Sequence, residues 1–326
     1  MRHPGYKAAV TSFTVWTNHR MNTEQEARLR KATAAHRLLI GPEASPSALA
    51  QADVAFGQPP VGEAMSSERL RWVQLSSAGY GSYDKPDVRA AFARRGAVLT
   101  KSSFVYANPC AEHVLAFMLA GARQLPLAFA AQHGERDWPQ GPLRERSRLL
   151  TGQRVILFGF GSIGARLAEL LAPFTRELAG VRRNPSGDEP IETFDFDDPR
   201  LHERLGAADH VVNLLPGTPD TAHYFDAGLF SRCKPGAVFY NVGRGTTVDQ
   251  SALLAALESR HLGAALLDVT DPEPLPADHP LWRAPNCVIT PHTAGGHHDE
   301  GDRLVEHFVT NLARFERGEP VRDRAF

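Results

Sequence analysis

Residues 151–171 read T-G-Q-R-V-I-L-F-G-F-G-S-I-G-A-R-L-A-E-L-L. Val155 to Phe158 form an unbroken apolar run, which predicts a strand buried on both faces of a parallel sheet. Gly159, Gly161 and Gly164 follow at the G-x-G-x-x-G spacing, and Ile163, Leu167, Leu170 and Leu171 then recur at helical intervals. Many glycine turns carry no ligand. Set between a strand and an amphipathic helix, this one reads as a dinucleotide turn. Gly159 permits the tight turn, Gly161 lets a pyrophosphate approach the backbone, and Gly164 lets the helix pack against the strand. The pyrophosphate would rest on the free N–H groups of the first helical turn, at Ser162 and Ile163.

The second strand of the same unit reads R-E-L-A-G-V-R-R-N-P. Arg182 and Arg183 stand where a carboxylate normally bonds the ribose 2′-hydroxyl. A guanidinium there suits a 2′-phosphate, so NADP(H) is expected over NAD(H). The competing reading has both arginines merely solvated at a strand end.

The 326 residues suffice for two domains. With 36 basic and 37 acidic residues interspersed, no nucleic-acid footprint or membrane patch is expected. The longest apolar run, Val114 to Ala122, is too short to span a bilayer, and the N-terminus lacks a signal-peptide core. Cys110, Cys233 and Cys287 form neither a disulfide framework nor a zinc pattern, which points to the cytoplasm.

The first hundred residues predict a β/α alternation: strands at Ala8–Val15, Leu38–Ile40, Val54–Phe56, Trp72–Leu75 and Ala97–Thr100, and helices over Thr23–Ala35 and Pro86–Arg95. Thr23 with Glu26 fits a capping box. A Gly/Ser loop, Ser76 to Gly81, follows one strand; its amides at Ser77, Ala78 and Gly79 suit a carboxylate, although a plain turn would look the same. A long helix is predicted from Asn108 to Ala122, then a polar excursion from Gln124 to Ser147. Further strands end in L-L-P-G-T-P-D-T, N-V-G-R-G, D-V-T-D-P-E-P-L-P and P-H-T-A-G-G, with a helix over Asp249–Ser259 and a closing amphipathic helix over Asp299–Glu316.

Those strand ends place Arg244, Asp268, Glu273 and His292 on the rim that carries Gly159 and Gly161. Reduction of a ketone there needs a cation for the substrate, a proton donor and a partner for that donor. Arg244 suits the first through its planar fork, His292 the second, and Glu273 the third. Each taken singly is equally a surface residue or a strand-end ion pair.

The glycine unit and the N-V-G-R-G, D-V-T-D-P-E-P-L-P and T-P-H-T-A-G-G motifs, in that order, resemble the D-isomer-specific 2-hydroxyacid dehydrogenases, covering Asn108 to Gly296. The resemblance implies a Rossmann-type doubly wound parallel sheet (residues 113–296) inserted into a smaller flavodoxin-like α/β domain (1–112 and 297–326), with the active site in a cleft between them. It makes Arg244 the substrate-binding arginine, Glu273 the acid paired to histidine, and His292 the acid/base. Asp268 would contact the nicotinamide carboxamide; Leu215, Pro216 and Val242 would be coenzyme contacts, and Ser77–Gly79 would hold the substrate carboxylate. It also implies a homodimer. Arg182 in place of the usual aspartate is similar to the NADPH-using glyoxylate and hydroxypyruvate reductases. The absence of Lys and Arg between Trp72 and Tyr80 argues against a phosphorylated substrate.

The expected function is NAD(P)H-dependent reduction of a small 2-ketoacid to a D-2-hydroxyacid, without a metal. A dinucleotide-sensing, corepressor-like interaction protein on the same fold is the alternative. No H-E-x-x-H or G-x-S-x-G is present to support a metallohydrolase or a serine hydrolase.

Overall fold

A computed structural model describes residues 12–326. The chain divides into two compact units, Met1–Tyr106 with His297–Phe326, and Ala107–Gly296. Residues 8–11 of the first predicted strand lie outside the described residues.

In the first unit, β1 (Thr14–Thr17), β2 (Arg37–Ile40), β3 (Val54–Gly57), β4 (Trp72–Leu75) and β5 (Val98–Thr100) form a parallel sheet in the order β2-β1-β3-β4-β5. That is the flavodoxin-like order. All four residues of β1, β3 and β4 are buried, as strands covered on both faces require. The C-terminal helix Glu300–Glu316 supplies one cover: Phe308 stacks on Phe56 at 4.5 Å and on Trp72 at 5.3 Å between ring centroids. The capping box of helix Thr23–Ala32 sits one residue earlier than the sequence predicts. Asn22, not Thr23, is the N-cap: its Oδ1 accepts from Gln25 N, and Gln25 Oε1 accepts from Asn22 N. Two overlapping patterns competed, and Asn is the stronger cap.

In the second unit, seven parallel strands run β12-β11-β10-β9-β6-β7-β8. They are β6 (Arg154–Phe158), β7 (Glu177–Val181), β8 (Glu192–Phe194), β9 (His210–Asn213), β10 (Ala237–Asn241), β11 (Leu262–Leu267) and β12 (Cys287–Ile289). The chain lays β6, β7 and β8 outward in one direction, then returns to β9 and builds the other way. This is the Rossmann arrangement, and its ligand crevice lies at the carboxyl ends of β6 and β9. Register aligns those ends across the sheet: Val181 pairs with Phe158, Phe158 with Asn213, Asn213 with Asn241, Asn241 with Leu267 and Leu267 with Ile289. The residues that follow, Arg182, Gly159, Leu214, Val242, Asp268 and Thr290, therefore leave the sheet along one rim.

The long helix begins at Ser103, ahead of Asn108, and carries Pro109 in its interior. Proline is at home in a first turn, so in sequence it marks a start that the structure does not place there. The Gln124–Ser147 excursion contains two helices, Leu125–His133 and Gln140–Arg146. Among the described residues no single helix is long and apolar enough to cross a membrane.

Candidate active site

Glycines let the loops of the second unit's rim touch. Gly159 has φ +101°, and a Cβ there would lie 2.8 Å from the Leu214 carbonyl; at Gly164 it would lie 2.8 Å from Gly159 O. At Gly245 it would fall 1.8 Å from Thr270 O, so the β10 and β11 loops meet backbone to backbone. Gly161 differs: nothing lies within 4 Å of its Cβ position. It is the N-cap of helix Ser162–Leu171 and offers no side-chain cap. The N–H groups of Ser162, Ile163 and Gly164 find no acceptor among the described residues. An open backbone cradle on free helix N–H groups fits a dinucleotide pyrophosphate. Leu215 and Val242 are buried and Pro216 is exposed.

Arg244 follows β10. Its carbonyl accepts from Thr247 Oγ1 at 2.6 Å and Asn241 Nδ2 at 3.2 Å, and Asn213 Nδ2 in turn donates to Asn241 Oδ1 and Thr247 Oγ1. Asn213, Asn241 and Thr247 are fully buried or nearly so, so this network fixes the arginine backbone firmly. The half-buried guanidinium donates to Gly243 O, and among the described residues no carboxylate pairs with it. A cation left without a partner at a rim suits an incoming carboxylate.

His292 follows β12 with φ +52°, a left-handed conformation unfavourable for a side chain with a Cβ. Asp268 holds it there. The Asp268 carbonyl accepts from His292 N at 2.8 Å. Its buried carboxylate accepts from Thr290 Oγ1 at 2.6 Å, Thr293 N at 2.8 Å and Ala294 N at 2.9 Å. His292 Nδ1 lies 2.8 Å from Glu273 Oε2, and Glu273 Oε1 accepts from Thr270 N at 3.1 Å. With Nδ1 turned to the carboxylate, Nε2 is the nitrogen left for a substrate.

Two residues of the long helix join this group. His113 Nε2 lies 3.2 Å from Thr290 Oγ1 and 3.8 Å from Asp268 Oδ1. Thr290 gives its proton to Asp268, so His113 is the donor to Thr290. Burial lowers the His113 pKa, and Asp268 opposes that shift. The Cys110 thiol is pushed up to about 12, chiefly by burial; Asp268 adds to the shift and Arg244 opposes it. That thiol is inert as a nucleophile.

Arg182 and Arg183 are both engaged. Arg182 Nη1 lies 3.1 Å from Glu189 Oε1, and Arg183 Nη2 lies 2.9 Å from Asp220 Oδ2. In the first unit, the loop after β4 is braced: Gln58 Nε2 donates to Ser76 Oγ and Ser77 Oγ at 3.1 Å, and Ser102 N donates to Ser77 O at 2.9 Å. The N–H groups of Ser77, Ala78 and Gly79 find no acceptor among the described residues. The Lys101 ammonium lies 5.5 Å from the Tyr80 ring centroid. A cation thus stands beside a loop whose own sequence has none, which weakens the argument against phosphorylated substrates.

Residues 115–294 match the family model for the D-isomer specific 2-hydroxyacid dehydrogenase, NAD binding domain. The chain belongs to the D-isomer specific 2-hydroxyacid dehydrogenases. It is an oxidoreductase chain with a dinucleotide-binding Rossmann unit. The dehydrogenase is 33% identical to glyoxylate/hydroxypyruvate reductase B of Citrobacter koseri over 255 residues, covering 75% of this chain and 74% of that protein. It is also 33% identical to the human glyoxylate reductase/hydroxypyruvate reductase over 231 residues, 70% of each chain. A crystal structure of a D-isomer specific 2-hydroxyacid dehydrogenase from Xanthobacter autotrophicus, in complex with NADPH and MES, matches 98% of both chains with a TM-score of 0.78 and 28% identity.

Sequence reasoning passed over several residues that shape this dehydrogenase's rim. His113 lies in a helix whose apolar pattern gives a lone histidine no distinction. Gln250 Oε1 and Nε2 grip the Asp271 N–H and carbonyl, steadying the loop that bears Glu273. The buried Asn213 and Asn241 were visible only as polar residues ending apolar strands.

Proposed function

We propose that this dehydrogenase reduces a small 2-ketoacid to the D-2-hydroxyacid, with glyoxylate or hydroxypyruvate as the favoured substrate type. The observation that carries the reading is the His292–Glu273 pair on the same sheet rim as an Arg244 that has no carboxylate partner among the described residues. Arg244 binds the substrate carboxylate and, with it, polarises the adjoining keto group. Ser77, Ala78 and Gly79, whose amides find no acceptor among the described residues, are proposed as substrate-binding residues of the first unit. The Gly159–Gly164 turn would hold the pyrophosphate of a reduced dinucleotide, whose nicotinamide would supply the hydride for C2. His292 Nε2 gives the proton to the developing alkoxide, and Glu273 holds the ring in the orientation for that transfer. Asp268 keeps His292 in its left-handed backbone conformation and is proposed, on the family resemblance, as a nicotinamide carboxamide contact.

NADPH is the proposed coenzyme, with Arg182 and Arg183 taking the 2′-phosphate. The support is their place after β7 and the NADPH named in the Xanthobacter complex. A cytoplasmic homodimer is proposed on the family resemblance. Supporting it, Leu119, Leu125, Phe129, Trp138 and Leu149 of the second unit are exposed large apolar side chains. The test is NADPH and NADH oxidation against glyoxylate, hydroxypyruvate, pyruvate and phenylpyruvate. Turnover of the first two with NADPH is expected. Coenzyme binding without turnover of any ketoacid would favour a sensing protein.

A further inference from the structure

Four donors converge on one acidic side chain just beyond β7. Glu189 Oε1 accepts from Ser186 N at 2.8 Å, from Ser186 Oγ at 3.0 Å and from Arg182 Nη1 at 3.1 Å; Glu189 Oε2 accepts from Gly187 N at 2.9 Å. Only 6% of the Glu189 side-chain surface is exposed, against 41% for Arg182. A guanidinium, a hydroxyl and two adjacent backbone amides are the donor set that a phosphate monoester takes. Arg182 leaves the sheet at the end of the second strand, where a dinucleotide presents its ribose 2′ position.

We propose that Glu189 is an internal stand-in for the coenzyme 2′-phosphate: it occupies the phosphate's donors, must yield them when NADPH binds, and so sets the NADPH/NADH preference. This rests on the dinucleotide reading above. Two negative groups cannot share those four donors without strong repulsion. NADH brings no phosphate and leaves Glu189 where it is. The Ser186 backbone N–H, above all, holds the Glu189 carboxyl at about 2, so the competitor stays charged throughout the neutral range. Arg183 lies nearby with a different partner, Asp220, in an exposed pair that a phosphate can open at little cost.

Calorimetric titration of the coenzyme-free enzyme with 2′,5′-ADP and with 5′-AMP tests this without turnover. In E189Q, and in E189A as a second variant lacking any acceptor, 2′,5′-ADP should bind roughly tenfold more tightly, with 5′-AMP affinity unchanged. R182Q should weaken 2′,5′-ADP and spare 5′-AMP. Unchanged or weaker 2′,5′-ADP binding in both Glu189 variants, with 5′-AMP binding intact, would overturn the proposal and leave Glu189 as a loop brace. Failure of the wild type to bind 5′-AMP at all would instead overturn the dinucleotide reading beneath it.

Discussion

His292 and Glu273 stand 2.8 Å apart, Nδ1 to Oε2, on loops that leave different strands, and Asp268 and Thr270 tie both loops to the carboxyl end of β11. The pair is exposed by about half at the histidine and 38% at the glutamate, open to a substrate yet fixed in backbone. Its geometry rests on the buried Asp268 and Thr270.

Asp268→Asn should show that dependence. An amide keeps one acceptor but turns an NH2 toward a backbone or hydroxyl donor, leaving a buried donor unsatisfied. Stability should fall by about 2 kcal/mol in urea denaturation, and kcat should fall with it as His292 loosens. Unaltered stability and kcat would mean the carboxylate does not hold the loop.

The rim glycines separate folding from binding. Gly161→Ala adds a methyl into open space, so Tm should barely move while coenzyme binding weakens roughly tenfold or more as the pyrophosphate is pushed off the backbone. Gly245→Ala would drive a methyl into Thr270 O and should destabilise by roughly 3 kcal/mol or more, as backbone must shift. Thermal melts with and without coenzyme distinguish the two.

Much of this rim was legible in sequence because parallel strands are short apolar runs and each ends on a polar motif; register then aligns the ends. The Asn22 cap, the Ser103 helix start and β8 were not, because capping patterns overlapped, Pro109 imitated a first turn, and β8 reads E-T-F with no apolar run. Arg182 and Arg183 were readable as cations, but their partners were not: Glu189 reaches back through a turn, and Asp220 arrives from the β9 loop. Side-chain pairing across loops has no local signature.

Arg244→Lys keeps the charge and loses the planar fork. The kcat/KM for the ketoacid should drop roughly a hundredfold, the worth of a charged hydrogen-bond pair, while coenzyme affinity holds. Equal losses for ketoacid and coenzyme would place Arg244 outside the substrate site.

His210 predicts an acid-sensitive second unit. It is buried at the start of β9, between Tyr240 OH, 2.9 Å from Nδ1, and Gln153. Burial lowers its pKa from 6.5 to about 4. The unfolded chain therefore binds the extra proton between those values, so His210's contribution is complete above pH 6.5 and is lost as pH falls toward 4. Between pH 7.5 and 5 the loss should be about 2 kcal/mol. In His210→Gln that component of the pH dependence should vanish. Denaturation curves at the two pH values, with parallel slopes for both proteins, would count against it.

The most direct test is single-turnover reduction of glyoxylate by the NADPH-loaded enzyme, wild type against His292→Ala, with coenzyme binding measured on the same samples. The expected result is rapid NADPH oxidation by the wild type and a loss of roughly a thousandfold in His292→Ala, with coenzyme affinity intact. A His292→Ala variant that oxidises NADPH at the wild-type rate would contradict the assignment of His292 as the proton donor.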